Sequence, residues 1–199
     1  GVSADPLIDG KVSPPDVAGF DDFAGRSGRD GSAMDVLASW LAGARAHDAV
    51  PLLYVHGFDY DFNEACARAG NLCDWLEATG EVRLDPLVFT WPSNGITSLS
   101  AYFDDQADCA ASAPALARLI RYVAKAAAGH GGRKPAYMAH SMGARATRTT
   151  MEALNRGRAA LPQRVFGQAI VIAGDDDTTV LTPPRAPLRP LMELADWTT

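Results

Sequence analysis

Cysteine is scarce in this chain. Three cysteines in 199 residues, Cys66, Cys73 and Cys109, give an odd count with no C-x-x-C pair, which excludes a disulfide framework and a cysteine-based zinc site. Their plain reading is as small apolar residues, with Cys66 and Cys73 seven apart on one face of a predicted helix. An excess of cations is also missing. Against 18 Lys and Arg stand 24 Asp and Glu, a formal charge of −6, and no basic run is dense enough to track a phosphate backbone, so no nucleic-acid partner is expected. The longest apolar stretches, such as 165–173, fall far short of the roughly 20 residues that span a bilayer, so no membrane span is expected either.

What remains is ordinary for one soluble globular domain: 47% hydrophobic and 21% charged residues, with no internal repeat and no linker dividing the chain. The chain begins Gly1-Val2-Ser3 rather than with methionine, which leaves processing, a cloning remnant or an incomplete record all open. The lack of a signal segment leans slightly toward the cytoplasm.

Residues 1–32 are rich in Gly, Asp, Pro and Ser without an apolar period, and read as an irregular N-terminal arm before a domain at 33–199. From Met34 to Ala46 the spacing of Leu37, Ala38, Leu41 and Ala44 predicts a helix. V-P-L-L-Y-V (50–55) and P-L-V-F-T-W (86–91) read as buried strands, separated by a helix over 61–79 that Gly80 stops. A helical pattern over 103–128 is kinked or split by Pro114. A strand ending at Ala139, a helix over 142–155, a β-branched strand over 165–173 and a helix over 188–195 follow. Alternating strands and helices predict an α/β fold, a mainly parallel sheet with helices on both faces.

The stretch P-A-Y-M-A-H-S-M-G-A-R (135–145) carries the chemistry. It reads as strand, sharp turn and helix with Ser141 at the turn, and small residues two before and two after, Ala139 and Gly143, suit a nucleophile elbow of the form G-x-S-x-G. The alternative is a serine that merely caps a helix. L-Y-V-H-G-F-D (53–59) occupies the place of a strand and H-G-x turn, some 85 residues before the elbow counted from His56 to Ser141.

In this order the pieces resemble the α/β-hydrolase superfamily of serine esterases and lipases. With F-T-W-P-S-N-G (89–95) and Y-F-D-D (102–105) they resemble more closely a bacterial hydrolase family of unassigned substrate that carries W-P-S and A-H-S-M-G motifs. The resemblance spans Leu52 to Asp177. It implies a serine hydrolase that cleaves a small-molecule carboxylic ester through an acyl-enzyme on Ser141, with no cofactor and no metal. It implies backbone oxyanion donors at Phe58 and Met142, with His56 and Gly57 bracing that loop and His140 and Gly143 belonging to the elbow. Trp91, Asn94, Tyr102 and Asp105 fall on the family's loop positions and suit the wall of an acyl pocket, or else simple packing.

The superfamily order of Ser, acid, then His is not met, because no histidine follows Ser141. His47 and His130 lie on solvated stretches. Asp175, in A-G-D-D-D (173–177), is a candidate acid, although the acid more often follows the next strand. Asp196 to Thr199 read as the entrance to that strand, and on this reading the C-terminal strands and the triad histidine lie beyond the record, leaving 165–173 as an unprotected sheet edge. Two alternatives stand beside it: a non-catalytic binding protein of the same fold, and a cleaved C-terminal fragment that stays bound and supplies the histidine.

Overall fold

The computed structural model describes residues 30–93, 95–156, 162–182, 184 and 186–199; most of the N-terminal arm, and Asn94, lie outside the described residues. Five strands form one sheet in the order β2-β1-β3-β4-β5, with every pairing parallel. Along the chain these are α1 (Asp30–Ala46), β1 (Val50–Val55), α2 (Phe62–Glu77), β2 (Leu84–Phe89), α3 (Leu99–Ala111), α4 (Ala113–Ala127), β3 (Ala136–His140), α5 (Gly143–Arg156), β4 (Phe166–Ile172), a 3-10 turn (Thr178–Leu181), α6 (Arg189–Leu194) and β5 (Ala195–Thr198).

The period-2 alternation of the central strands splits the interior in two. Leu53, Val55, Tyr137 and Ala139 face a core shared with Leu37, Leu116, Ile120, Val123 and Met151, from α1, α4 and α5. Leu52, Tyr54 and Met138 face the other side and meet Ala69 and Cys73 of α2. Helices therefore cover both faces, and deleting a fully buried side chain such as Leu53 would cost about 2–5 kcal/mol. Pro51 is tolerated in the middle of this sheet for a geometric reason. The Val50 N–H donates to Arg83 O on the β2 side, so the missing donor of Pro51 faces β3, whose pairing begins only at Leu52.

The helix boundaries follow local chemistry. Asp61 and Glu64 form a capping box on α2, each side chain accepting from the other's backbone N–H. Pro114 does split the 103–128 pattern: α3 ends at Ala111 and α4 begins at Ala113 with the proline in its first turn. The first of these helices starts at Leu99 rather than near Phe103, because the Ser98 hydroxyl accepts from Ala101 N–H and sets the N-cap.

The C-terminal residues correct the sequence expectation. Ala195 to Thr198 are a formed strand, in register with β4 at Phe166↔Ala195, Gln168↔Trp197 and Ala169↔Thr198. Thr199 N donates to Ala169 O and Thr199 O accepts from Val171 N, while Lys134 Nζ pairs with Asp196 at 2.7 Å. The 165–173 segment is thus an interior strand, and β5 takes the edge. Among the described residues no helix is long and apolar enough to cross a membrane.

Candidate active site

Ser141 stands at the C-terminal end of β3 with φ +52°, a left-handed conformation that costs a non-glycine residue free energy and needs support. The support is local. Ser141 N donates to Ile172 O at 3.0 Å, and Ser141 O accepts from Ala144 N at 2.9 Å and from Asp175 N at 3.0 Å. Such a turn lifts the serine off the sheet at the strand ends, where ligands bind in open α/β sheets.

Two glycines make the close approach that the turn demands. A Cβ on Gly143 would stand 2.6 Å from Val55 O and 2.8 Å from His56 O, so α5 could not start against the end of β1 with any larger residue. A Cβ on Gly57 would stand 2.9 Å from Ser141 Cβ and 3.1 Å from His140 Nδ1. The 56–58 loop therefore passes directly over the serine. Met142 is fully buried and Phe58 partly so, and among the described residues no backbone hydrogen bond takes up the N–H of either.

His56 is committed on both ring nitrogens. Its Nδ1 lies 2.8 Å from Gly57 O and so must donate, while its Nε2 lies 3.2 Å from Trp91 N and so must accept. Those two partners fix one neutral tautomer. At 0% exposure, burial lowers the pKa to about 4, outweighing the opposing pull of Gly57 O. Trp91, at 3% exposure, stacks on the imidazole and donates its indole Nε1–H to His56 O at 3.1 Å. The W-P-S run continues the clamp. Ser93 Oγ donates to Asp105 Oδ2 at 2.6 Å, Asp105 being fully buried on α3, and Thr97 bonds Asp59 in the loop after Phe58.

Tyr102 ties α3 to both sides of the elbow. Its ring meets Phe58 edge-on, centroids 5.3 Å apart, and its hydroxyl donates to Asp175 Oδ2 at 2.7 Å, which is the main reason its pKa is raised. The three aspartates after β4 separate in role: Asp175 accepts from Tyr102, Asp176 pairs with Arg148 at 2.7 Å, and Asp177 caps the 3-10 turn by accepting from Thr179 N. His140 is half-buried, its Nδ1 enclosed without a hydrogen-bond partner, and burial followed by the charge of Arg68 lowers its pKa. His47 is exposed and His130 partly so. Among the described residues no histidine ring is hydrogen-bonded to Ser141.

A cavity of about 370 Å³ lies beyond the elbow, lined by Ala144, Val171, Gly174, Val180, Leu181 and Leu191 among others; neither Trp91 nor Tyr102 lines it. A polar cleft of about 350 Å³ between His47, Glu77, Arg83 and Arg133 sits at the opposite, N-terminal end of the strands, away from Ser141.

Residues 32–183 match the family described as alpha/beta hydrolase of unknown function (DUF900). The chain belongs to that family. The five-stranded parallel sheet with helices on both sides is the architecture expected of an α/β-hydrolase, and membership suggests hydrolase activity. No curated protein and no solved structure matches this α/β-hydrolase. Sequence reasoning singled out the elbow, the H-G turn and the W-P-S run, but not Arg145, four residues after Ser141, whose Nε is buried without a hydrogen-bond partner.

Proposed function

We propose that this α/β-hydrolase cleaves carboxylic esters of small molecules through an acyl-enzyme on Ser141, without a cofactor. The observation that carries the reading is the pairing of a serine at φ +52° with a glycine loop so close above it that a Cβ on Gly57 would touch Ser141 Cβ. In the first half-reaction Ser141 Oγ attacks the ester carbonyl carbon and its proton passes to a general base. The carbonyl oxygen gains the negative charge and faces the N–H groups of Met142 and Phe58, the former at a helix start where backbone dipoles favour an anion. Collapse of the tetrahedral species expels the alcohol, which takes the proton. Water then hydrolyses the acyl-serine, releasing the carboxylic acid and restoring Ser141.

His56 does not suit the role of base, because both its nitrogens are engaged and its neutral form is buried. In this reading the base is a group other than His56, and Asp175 is the acid that orients it. A second reading, a binding protein of the same fold without turnover, draws on the lack of a Ser141–histidine hydrogen bond among the described residues.

Hydrolysis of a short-chain 4-nitrophenyl ester separates the two. The protein is expected to turn over the ester, and Ser141→Ala to fall by on the order of 10⁶, to background. Activity surviving Ser141→Ala would overturn the nucleophile, and a protein that binds the ester without turning it over would favour the second reading.

A further inference from the structure

Two arginines follow the elbow on α5, and their surroundings differ. Arg148 is paired twice, through Nε to Asp176 at 2.7 Å and through Nη1 to Glu152 at 3.4 Å. Arg145 has no such partner: among the described residues no carboxylate pairs with it, and its Nε is buried without a hydrogen bond. A buried N–H left unsatisfied on a charged group is costly, so its retention beside a reactive serine asks for an anion from outside the fold.

The position is specific. Arg145 lies one helical turn beyond Ser141, an axial rise of about 5–6 Å. It lies on the side of α5 that meets α3, where Cys109 Sγ–H donates to Met142 O. Its charge reaches Tyr102 and Cys109, opposing the rise that the Asp175 hydrogen bond gives Tyr102 and the rise to about 12 that burial gives Cys109. Tyr102 also interacts with the Gln106 side chain, so hydroxyl, amide and guanidinium gather between α3 and the elbow. Two carboxylates of the neighbouring elements are engaged elsewhere, Asp105 by Ser93 and Asp175 by Tyr102.

We infer that Arg145 is a specificity-determining residue that receives a carboxylate on the acyl part of the ester, so that the preferred substrates are half-esters of short dicarboxylic acids. This rests on Ser141 being the nucleophile. A four- or five-carbon diacid spans the distance between an acyl carbon held at Ser141 and a guanidinium one turn away, and the planar fork of arginine matches a carboxylate with two parallel N–H···O bonds.

The test compares monobenzyl glutarate with benzyl valerate on the full natural protein, following benzyl alcohol by chromatography. The native enzyme is expected to favour the glutarate half-ester in kcat/KM by about 10- to 100-fold, the range for a charge-assisted hydrogen bond. Arg145→Met should remove that preference mainly through KM, with benzyl valerate changed by less than about 3-fold, and Arg145→Lys should restore part of it. No preference in the native enzyme, or an equal loss on both esters in Arg145→Met, overturns the proposal. Should Arg145→Met fail to fold, the Arg145→Lys and Arg145→Gln variants carry the same comparison. If neither ester is hydrolysed, the hydrolase reading falls, and calorimetry with glutarate decides the anion site by itself: binding lost in Arg145→Met supports it, and no binding to the native protein overturns it.

Discussion

The indole of Trp91 lies flat on the imidazole of His56, centroids 4.9 Å apart and planes 4° apart, while hydrogen bonds run between the two residues in both their backbones and rings. The strand end at β2 thereby grips the loop that crosses Ser141. Trp91→Phe keeps an aromatic ring but removes the donor to His56 O, leaving a buried carbonyl unpaired at a cost of about 1–3 kcal/mol. A lower melting temperature and a reduced kcat with little change in KM are expected, read by calorimetry and ester kinetics. A variant with native stability and turnover would show that the indole bond does not hold the loop.

The two glycines predict different failures. At Gly143 an alanine Cβ meets backbone atoms of Val55 and His56 that cannot rotate away, so Gly143→Ala should impair folding itself, lowering soluble yield and the unfolding midpoint. At Gly57 the obstacles are Ser141 Cβ at 2.9 Å, the His140 ring at 3.1 Å and His140 O at 3.2 Å, a looser set than the backbone oxygens at 2.6 and 2.8 Å from Gly143. Gly57→Ala should therefore displace the loop and lose turnover more than stability, by roughly 10²- to 10³-fold if one oxyanion donor is displaced. Circular dichroism beside kinetics distinguishes them, and the reverse pattern would contradict the geometry.

How far the sequence carried this account depended on separation along the chain. The elbow was legible because strand, turn and helix are contiguous and small residues flank Ser141 at Ala139 and Gly143, although the contacts that demand Gly143 come from Val55 and His56 at the end of β1. The break at Pro114 was legible because proline acts locally. The His56–Trp91 clamp, 35 residues apart, and the Tyr102–Asp175 bond, 73 apart, were not, since nothing in a local pattern says which side chains the sheet brings together. β5 was legible only as the entrance to a strand, because four residues carry too little periodicity; what the sequence did not show is its pairing with β4 and the Lys134–Asp196 bridge, which take 165–173 off the edge.

Acid should weaken the fold through His56. Its pKa in the fold, about 4, lies below the ordinary 6.5, so between those values the unfolded chain binds more protons than the folded one. The stabilisation from keeping His56 neutral is complete above about pH 6.5 and is lost as pH falls toward 4, with a total on the order of 3 kcal/mol. Denaturant midpoints measured from pH 7.5 to 4 should fall accordingly, and a His56→Gln variant should show a shallower decline. Parallel curves for the two proteins would remove His56 as the cause.

The central claim is that Ser141 is a nucleophile held under an oxyanion loop. A fluorophosphonate probe on the full natural protein tests it most directly, because phosphonylation of the hydroxyl, with fluoride as leaving group, needs the same activation and oxyanion stabilisation as acyl transfer. Mass spectrometry is expected to place one adduct on the peptide that contains Ser141, absent after Ser141→Ala; an unlabelled native protein, or labelling that persists in Ser141→Ala, would contradict the account.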